Sequence, residues 1–186
     1  MKRCSVSVAS RLPYRDGAVS VISEHHRELY RLYYMRTDVL ARPHAWQGEI
    51  EAIAVGLGVG SVLDYGCGPA RALSMFSALN VTDYDPAVSG IDQRPAPHQL
   101  VVCNHVLEHV EADRVPAVLD DLKSLTLKAL YLAVSCEPST KTLPDGTPWH
   151  STVKTAEEWL EIFRSVFPGC EVLKFDEKEV RILWRS

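Results

Sequence analysis

Short unbroken apolar runs alternate along the chain with longer stretches whose apolar residues recur three and four positions apart. Val62-Leu63, Leu100-Val101-Val102-Cys103 and Leu130-Tyr131-Leu132-Ala133-Val134 are too short for helices and carry no polar residue, as strands buried on both faces do. Asn80 to Asp85 reads as a further strand, stopped by Pro86. Helical patterns lie around and between them. One begins at about Ser23 and carries Leu29, Leu32, Tyr33, Val39 and Leu40, and others cover about 44–56, 70–79, 114–126 and 155–167. Ser23 suits an N-cap, and Thr155 followed three positions later by Glu158 spells a capping box. Glu171 to Phe175 and Val180 to Trp184 read as a closing pair of strands around Asp176-Glu177-Lys178. Val6, Val8, Val19 and Val21 fit either a hairpin around Asp16-Gly17 or an ordered arm. Strands alternating with helices predict an α/β fold, a doubly wound, mostly parallel sheet with an antiparallel pair at its end. Gln99 stands 14 positions after Asp85 (99 − 85), too few for a helix and a third strand, so that edge of the sheet is expected to be trimmed.

The 186 residues suit one domain, with residues 1–56 as an arm and helical cap and 57–186 as the core. With 46% hydrophobic residues, 24% charged residues and a net charge of −4, there is no basic field to draw the chain onto nucleic acid or anionic lipid. Lys2, Arg3, Arg11 and Arg15 read as a solvated terminus, and His25-His26 as a solvated helix start. Five cysteines, an odd number without a CxxC, fit a reducing cytoplasm rather than a disulfide scaffold. No apolar run approaches the roughly 18 residues that span a bilayer, and no signal-peptide region opens the chain. The expected partner is a small molecule; nucleic acid is disfavoured, a membrane is not expected, and the oligomeric state is open.

The chemistry concentrates in Asp64-Tyr65-Gly66-Cys67-Gly68-Pro69. A buried strand ends in an acid and breaks into a glycine-rich turn, where backbone can approach a ligand closely. Asp64 and Asp85 stand 21 positions apart (85 − 64), each closing a strand. An acid about 20 positions beyond such a loop can hold both hydroxyls of a ribose, a device common to NAD, FAD and S-adenosylmethionine. Dinucleotide sites need glycine or alanine at the sixth position of GxGxxG; here it is the bulky Arg71. An acid two positions before the first glycine suits a cationic ligand, such as the sulfonium and ammonium of S-adenosylmethionine.

Val62 to Pro69 resembles the first motif of the class I S-adenosylmethionine-dependent methyltransferases. Tyr84-Asp85-Pro86-Ala87 is similar to their acidic second motif, and Leu100 to Val110, with its Leu107-Glu108-His109, to their fourth-strand segment. The three occur in the family's order over about residues 60–136. The resemblance implies a Rossmann-like fold and S-adenosylmethionine as cofactor. It places Gly66 and Gly68 beside the methionine part, with Tyr65 and Cys67 in the same loop, Asp64 near the amino group and Asp85 on the ribose. Asn104 and His105 would border cofactor and substrate. Ala70 stands where the family usually has a third glycine, and Gln99 where it usually has an aspartate. Asp92 is the candidate for the adenine contact.

On the substrate side, the expected residues are Trp149 and His150, in the proline-rich loop 137–150, and Tyr30 and Tyr34 on the aromatic face of the first helix. His105, then His150, are the candidates for a general base, because histidine titrates near neutral pH. His105-Val106-Leu107-Glu108-His109 also matches H-x-x-E-H, an inverted zinc-protease signature, which would need one continuous helix. That reading leaves the Asp64 loop unexplained, and no metal is assigned. Three functions therefore stand: methyl transfer to a small molecule, modified nucleotide or sugar; a non-catalytic S-adenosylmethionine-binding regulatory module; and, remotely, a zinc hydrolase.

Overall fold

The structure is a computed structural model that describes residues 20–37 and 45–186. The hairpin or arm around Asp16-Gly17 and the helical positions Val39 and Leu40 lie outside the described residues. Among the described residues, six strands form one sheet: β1 (Val62–Tyr65), β2 (Val81–Tyr84), β3 (His98–Asn104), β4 (Thr126–Ser135), β5 (Glu171–Phe175) and β6 (Glu179–Arg185). Their order is β2-β1-β3-β4-β6-β5. The first four run parallel, and β6 lies antiparallel to both β4 and β5.

The short apolar runs become central strands because both sheet faces are covered, and the pleat sorts their residues alternately. Leu63, Tyr65, Val101, Cys103, Leu130, Leu132 and Val134 face one core, which they share with α4 (Val115–Leu125) and α5 (Ala156–Val166). Val62, Leu100, Val102, Ala129, Tyr131 and Ala133 face the other, under α2 (Ala45–Leu57) and α3 (Ala72–Phe76). A one-residue slip of any of these strands would exchange the two sets. The expected capping box forms at α5: Glu158 N–H donates to Thr155 Oγ1, and Thr155 N–H donates back to the Glu158 carboxylate.

Two elements differ from expectation. The helix expected over 70–79 is only the five residues of α3, because Arg71 enters it in the left-handed region (φ 46°) and Ser77 leaves it extended. The strand expected over 130–134 starts at Thr126, directly after α4 with no intervening residue; Thr126 Oγ1 donates to Leu122 O at 2.7 Å. The trimmed edge is present as expected. No strand forms between β2 and β3, and β2, four residues long, is the margin of the sheet.

The parallel strands all end at one edge, and α1 (Glu24–Arg36) lies over it. Ser23 caps α1 by accepting from His26 N–H at 3.1 Å. His25 is the exposed residue expected at a helix start, but His26 is not. It is buried, and its Nε2–H donates to His109 O at 2.9 Å, tying α1 to the segment after β3. No helix among the described residues is long and apolar enough to cross a membrane.

Candidate functional site

A cavity of about 250 Å³ opens where β1, β2 and β3 end. The loop Gly66–Ala70 and the turn Asp85–Ala87 form its base, His105, Val106 and His109 its side, and Tyr30, Tyr33, Tyr34 and Trp149 its roof. Gly66 is required by packing. Its φ is +78°, and a Cβ there would come within 2.5 Å of Val106 Cγ2. Gly68 also has positive φ (+61°), but a Cβ there would meet nothing within 4 Å, so the loop leaves open space beside it.

Asp85 fastens the base. Its Oδ2 accepts from Gly68 N–H at 3.0 Å and its Oδ1 from Ala87 N–H at 2.8 Å, which joins the loop after β1 to the turn after β2. Each oxygen keeps acceptor capacity for one more donor. Burial raises the Asp85 carboxyl to about 6, against the pull of the two N–H groups. Asp64 lies behind the loop, outside the cavity wall. Burial pushes it to about 7, and the carboxylates of Asp83 and Asp85 add to the rise. Asn104, at the tip of β3, is also off the wall, and its buried Oδ1 has no hydrogen-bond partner.

The remaining candidates divide. Tyr65 meets the cavity, but its ring is buried against Tyr84 and its hydroxyl donates to Asp121 Oδ2 at 3.1 Å, so the backbone is what it offers a ligand. The Cys67 thiol lines the cavity; burial, then Asp64 and Asp85, push its pKa up, so it is no thiolate. Trp149 roofs the cavity against Tyr33, with ring centroids 3.9 Å apart, and Tyr30 donates its hydroxyl to Trp149 O at 2.9 Å. His150 lies off the wall, behind His109, with ring centroids 5.0 Å apart. Asp92 is also off the wall; it pairs with Arg31 of α1 at 3.4 Å.

His105 adopts a left-handed backbone (φ 55°) and is followed by one 3₁₀ turn, Leu107–His109. The continuous helix that H-x-x-E-H needs is absent, and His105 and His109 share no helix face. His105 Nδ1 lies 3.0 Å from Glu108 Oε1 and its Nε2 3.6 Å from Glu179 Oε1. Burial opposes its charged form, but the hydrogen bond and charge of Glu108, with Glu179, outweigh this and raise its pKa. The two carboxylates favour the charged form of the imidazole and fix the orientation of its ring. His109 and Lys141 line the cavity without having been assigned to it from the sequence. The Tyr30/Tyr33/Tyr34 stripe at i, i+3 and i+4 was the signal for Tyr33; Lys141 sits in an aperiodic loop that gives none.

Solved structures repeat this arrangement of strands and helices. The DhpI–SAH complex matches with a TM-score of 0.59 and 19% identity, over 86% of this chain and 94% of that one. The 1,6-didemethyltoxoflavin-N1-methyltransferase of Burkholderia thailandensis, solved with 1,6-didemethyltoxoflavin and S-adenosylhomocysteine, matches with a TM-score of 0.58 and 14% identity, over 98% of this chain and 93% of that one. The chain has the class I methyltransferase fold. TehB from Haemophilus influenzae matches with a TM-score of 0.54 and 15% identity, over 84% of this chain and 67% of that one. No protein-family model and no curated protein matches the sequence.

Proposed function

We propose that the protein transfers a methyl group from S-adenosylmethionine to a small-molecule acceptor held under the aromatic roof. One observation carries this reading: a glycine loop with open space beside Gly68, joined to a ribose-type acid, Asp85, whose two oxygens can each accept one more hydrogen bond. The residues fit the cofactor on two further counts. Asp64 is a buried carboxyl held near neutrality, which a cationic amino-acid end would ionise. Asn104 carries a buried carbonyl oxygen with no partner in the chain. The Burkholderia thailandensis neighbour, solved with S-adenosylhomocysteine and a small-molecule substrate, supports the reading.

When bound, S-adenosylmethionine supplies a methyl group on a sulfonium, which already carries the chemical drive. The chain's task is then orientation: fixing nucleophile, methyl carbon and sulfur in line can be worth roughly 7–11 kcal/mol. Tyr30, Tyr33, Tyr34 and Trp149, their rings tilted against one another, offer an aromatic roof for the acceptor and exclude water from it. His105, on the cavity wall, is oriented by Glu108 and Glu179.

The test is calorimetric titration with S-adenosylmethionine, followed by detection of S-adenosylhomocysteine over a panel of small acceptors. Asp85→Ala removes two hydrogen bonds to a charged group, each worth about 1.5–3 kcal/mol, so affinity should fall at least about a hundredfold. An affinity unchanged in Asp85→Ala, or no binding by the parent protein, removes the proposal.

A further inference from the structure

We infer that Glu108, His109 and His150 form a binding site for one divalent transition-metal ion of the Zn²⁺ or Mn²⁺ class, against the wall of the cavity. A ligand-capable atom from each of the three lies within 4.8 Å of the other two. Glu108 is 1% exposed, and its two oxygens are unequal. Oε1 faces His105 Nδ1 at 3.0 Å and accepts from Ser135 N–H at 3.2 Å; Oε2 is buried and has no partner. A buried carboxylate oxygen left bare is costly unless a charge sits against it.

The two imidazoles are prepared in the same sense. His109 Nδ1–H donates to Trp149 O at 3.0 Å, and His150 Nδ1–H donates to Glu137 O at 2.6 Å. A backbone carbonyl on one ring nitrogen fixes the tautomer and leaves Nε2 with its lone pair free, the usual support of a metal-binding histidine. The segments that carry the three residues are stitched together: Thr152 N–H donates to Glu108 O at 3.0 Å and Thr152 Oγ1–H to Val110 O at 2.6 Å. Bonds of about 2.0–2.2 Å to one ion would bring the donors to within about 4.3 Å of one another, a closure that the partly exposed His150 can make by side-chain rotation.

Two histidines and one carboxylate leave coordination positions open, as in catalytic zinc and non-haem iron sites. His109 lines the cavity while Glu108 and His150 lie behind it, so the ion would sit against the outer side of the cavity wall. His105 is not a ligand; its Nδ1 holds Glu108 in place.

The experiment uses untagged full-length protein stripped with chelator, dialysed against Zn²⁺ or Mn²⁺ and assayed for bound metal and for S-adenosylmethionine affinity. One ion per chain is expected. His150→Ala, at a partly exposed loop position, should keep its circular dichroism and bind the ion at least about tenfold more weakly. Glu108→Gln, measured in parallel, should lose the ion too. A parent protein that takes up neither ion, or a His150→Ala variant that binds it as tightly as the parent, overturns the inference. Failure of metal binding with S-adenosylmethionine binding intact sinks the metal site alone; the reverse result sinks the methyltransferase reading alone.

Discussion

At the scale of single residues, Asp64 is the group whose protonation should be visible in solution. Its pKa rises from 3.8 to about 7 on folding, through burial and the carboxylates of Asp83 and Asp85. The folded chain therefore keeps this proton where the unfolded chain would lose it. The stability this contributes is full below pH 3.8 and disappears as pH climbs through about 7. A cationic ligand selects the ionised form, so its affinity should rise with pH and level off above about 7. Below that point the dissociation constant should grow by up to roughly tenfold per pH unit, as expected for one linked proton. Asp64→Asn should flatten this slope, apart from the part below about 6 where Asp85 titrates; calorimetric titration from pH 5 to 8 checks it. The acids and glycines of the base were legible in the sequence because they lie within two short motifs. The company Glu108 and His109 keep was not. Their partners Trp149 and His150 come from a loop about 40 positions away, and no local periodicity encodes that meeting.

At the scale of elements, α5 shows how far local chemistry reaches. Its capping box was readable as Thr155 and Glu158, and the structure buries Trp159, Leu160 and Phe163 on one face of the helix. Thr155→Ala should cost about 1 kcal/mol of stability, measured by urea unfolding, and leave S-adenosylmethionine affinity unchanged because α5 does not touch the cavity. The two misjudged elements have a common cause. Arg71 is held left-handed by the loop it closes, and Thr126 is drawn into the sheet by β3 beside it. Both are decided by neighbours in space, which override the propensity of the local sequence.

At the scale of the molecule, the fold class was legible, trimmed edge included, because unbroken apolar runs separated by helical periods admit few other architectures. The roof was legible only as an aromatic stripe. What fixes it is α1 closing over residues 57 to 119 positions away: His26 on His109, Tyr30 on Trp149, and Leu29 and Tyr30 packed with Ala87 and Leu143. Tyr30→Phe deletes the bond to Trp149 and should lower stability by about 1 kcal/mol. Hydrogen exchange should show the amides of α1 opening roughly fivefold more often while those of β3 keep their protection. The last consequence belongs to the abbreviated flank of the sheet. A full-length margin of bare amides and carbonyls invites a second copy of the chain to zip onto it. β2 offers four residues, the middle two being Thr82 and Asp83, and the acid repels its own counterpart. Shortening the sheet on that flank thus also removes a template for runaway self-association.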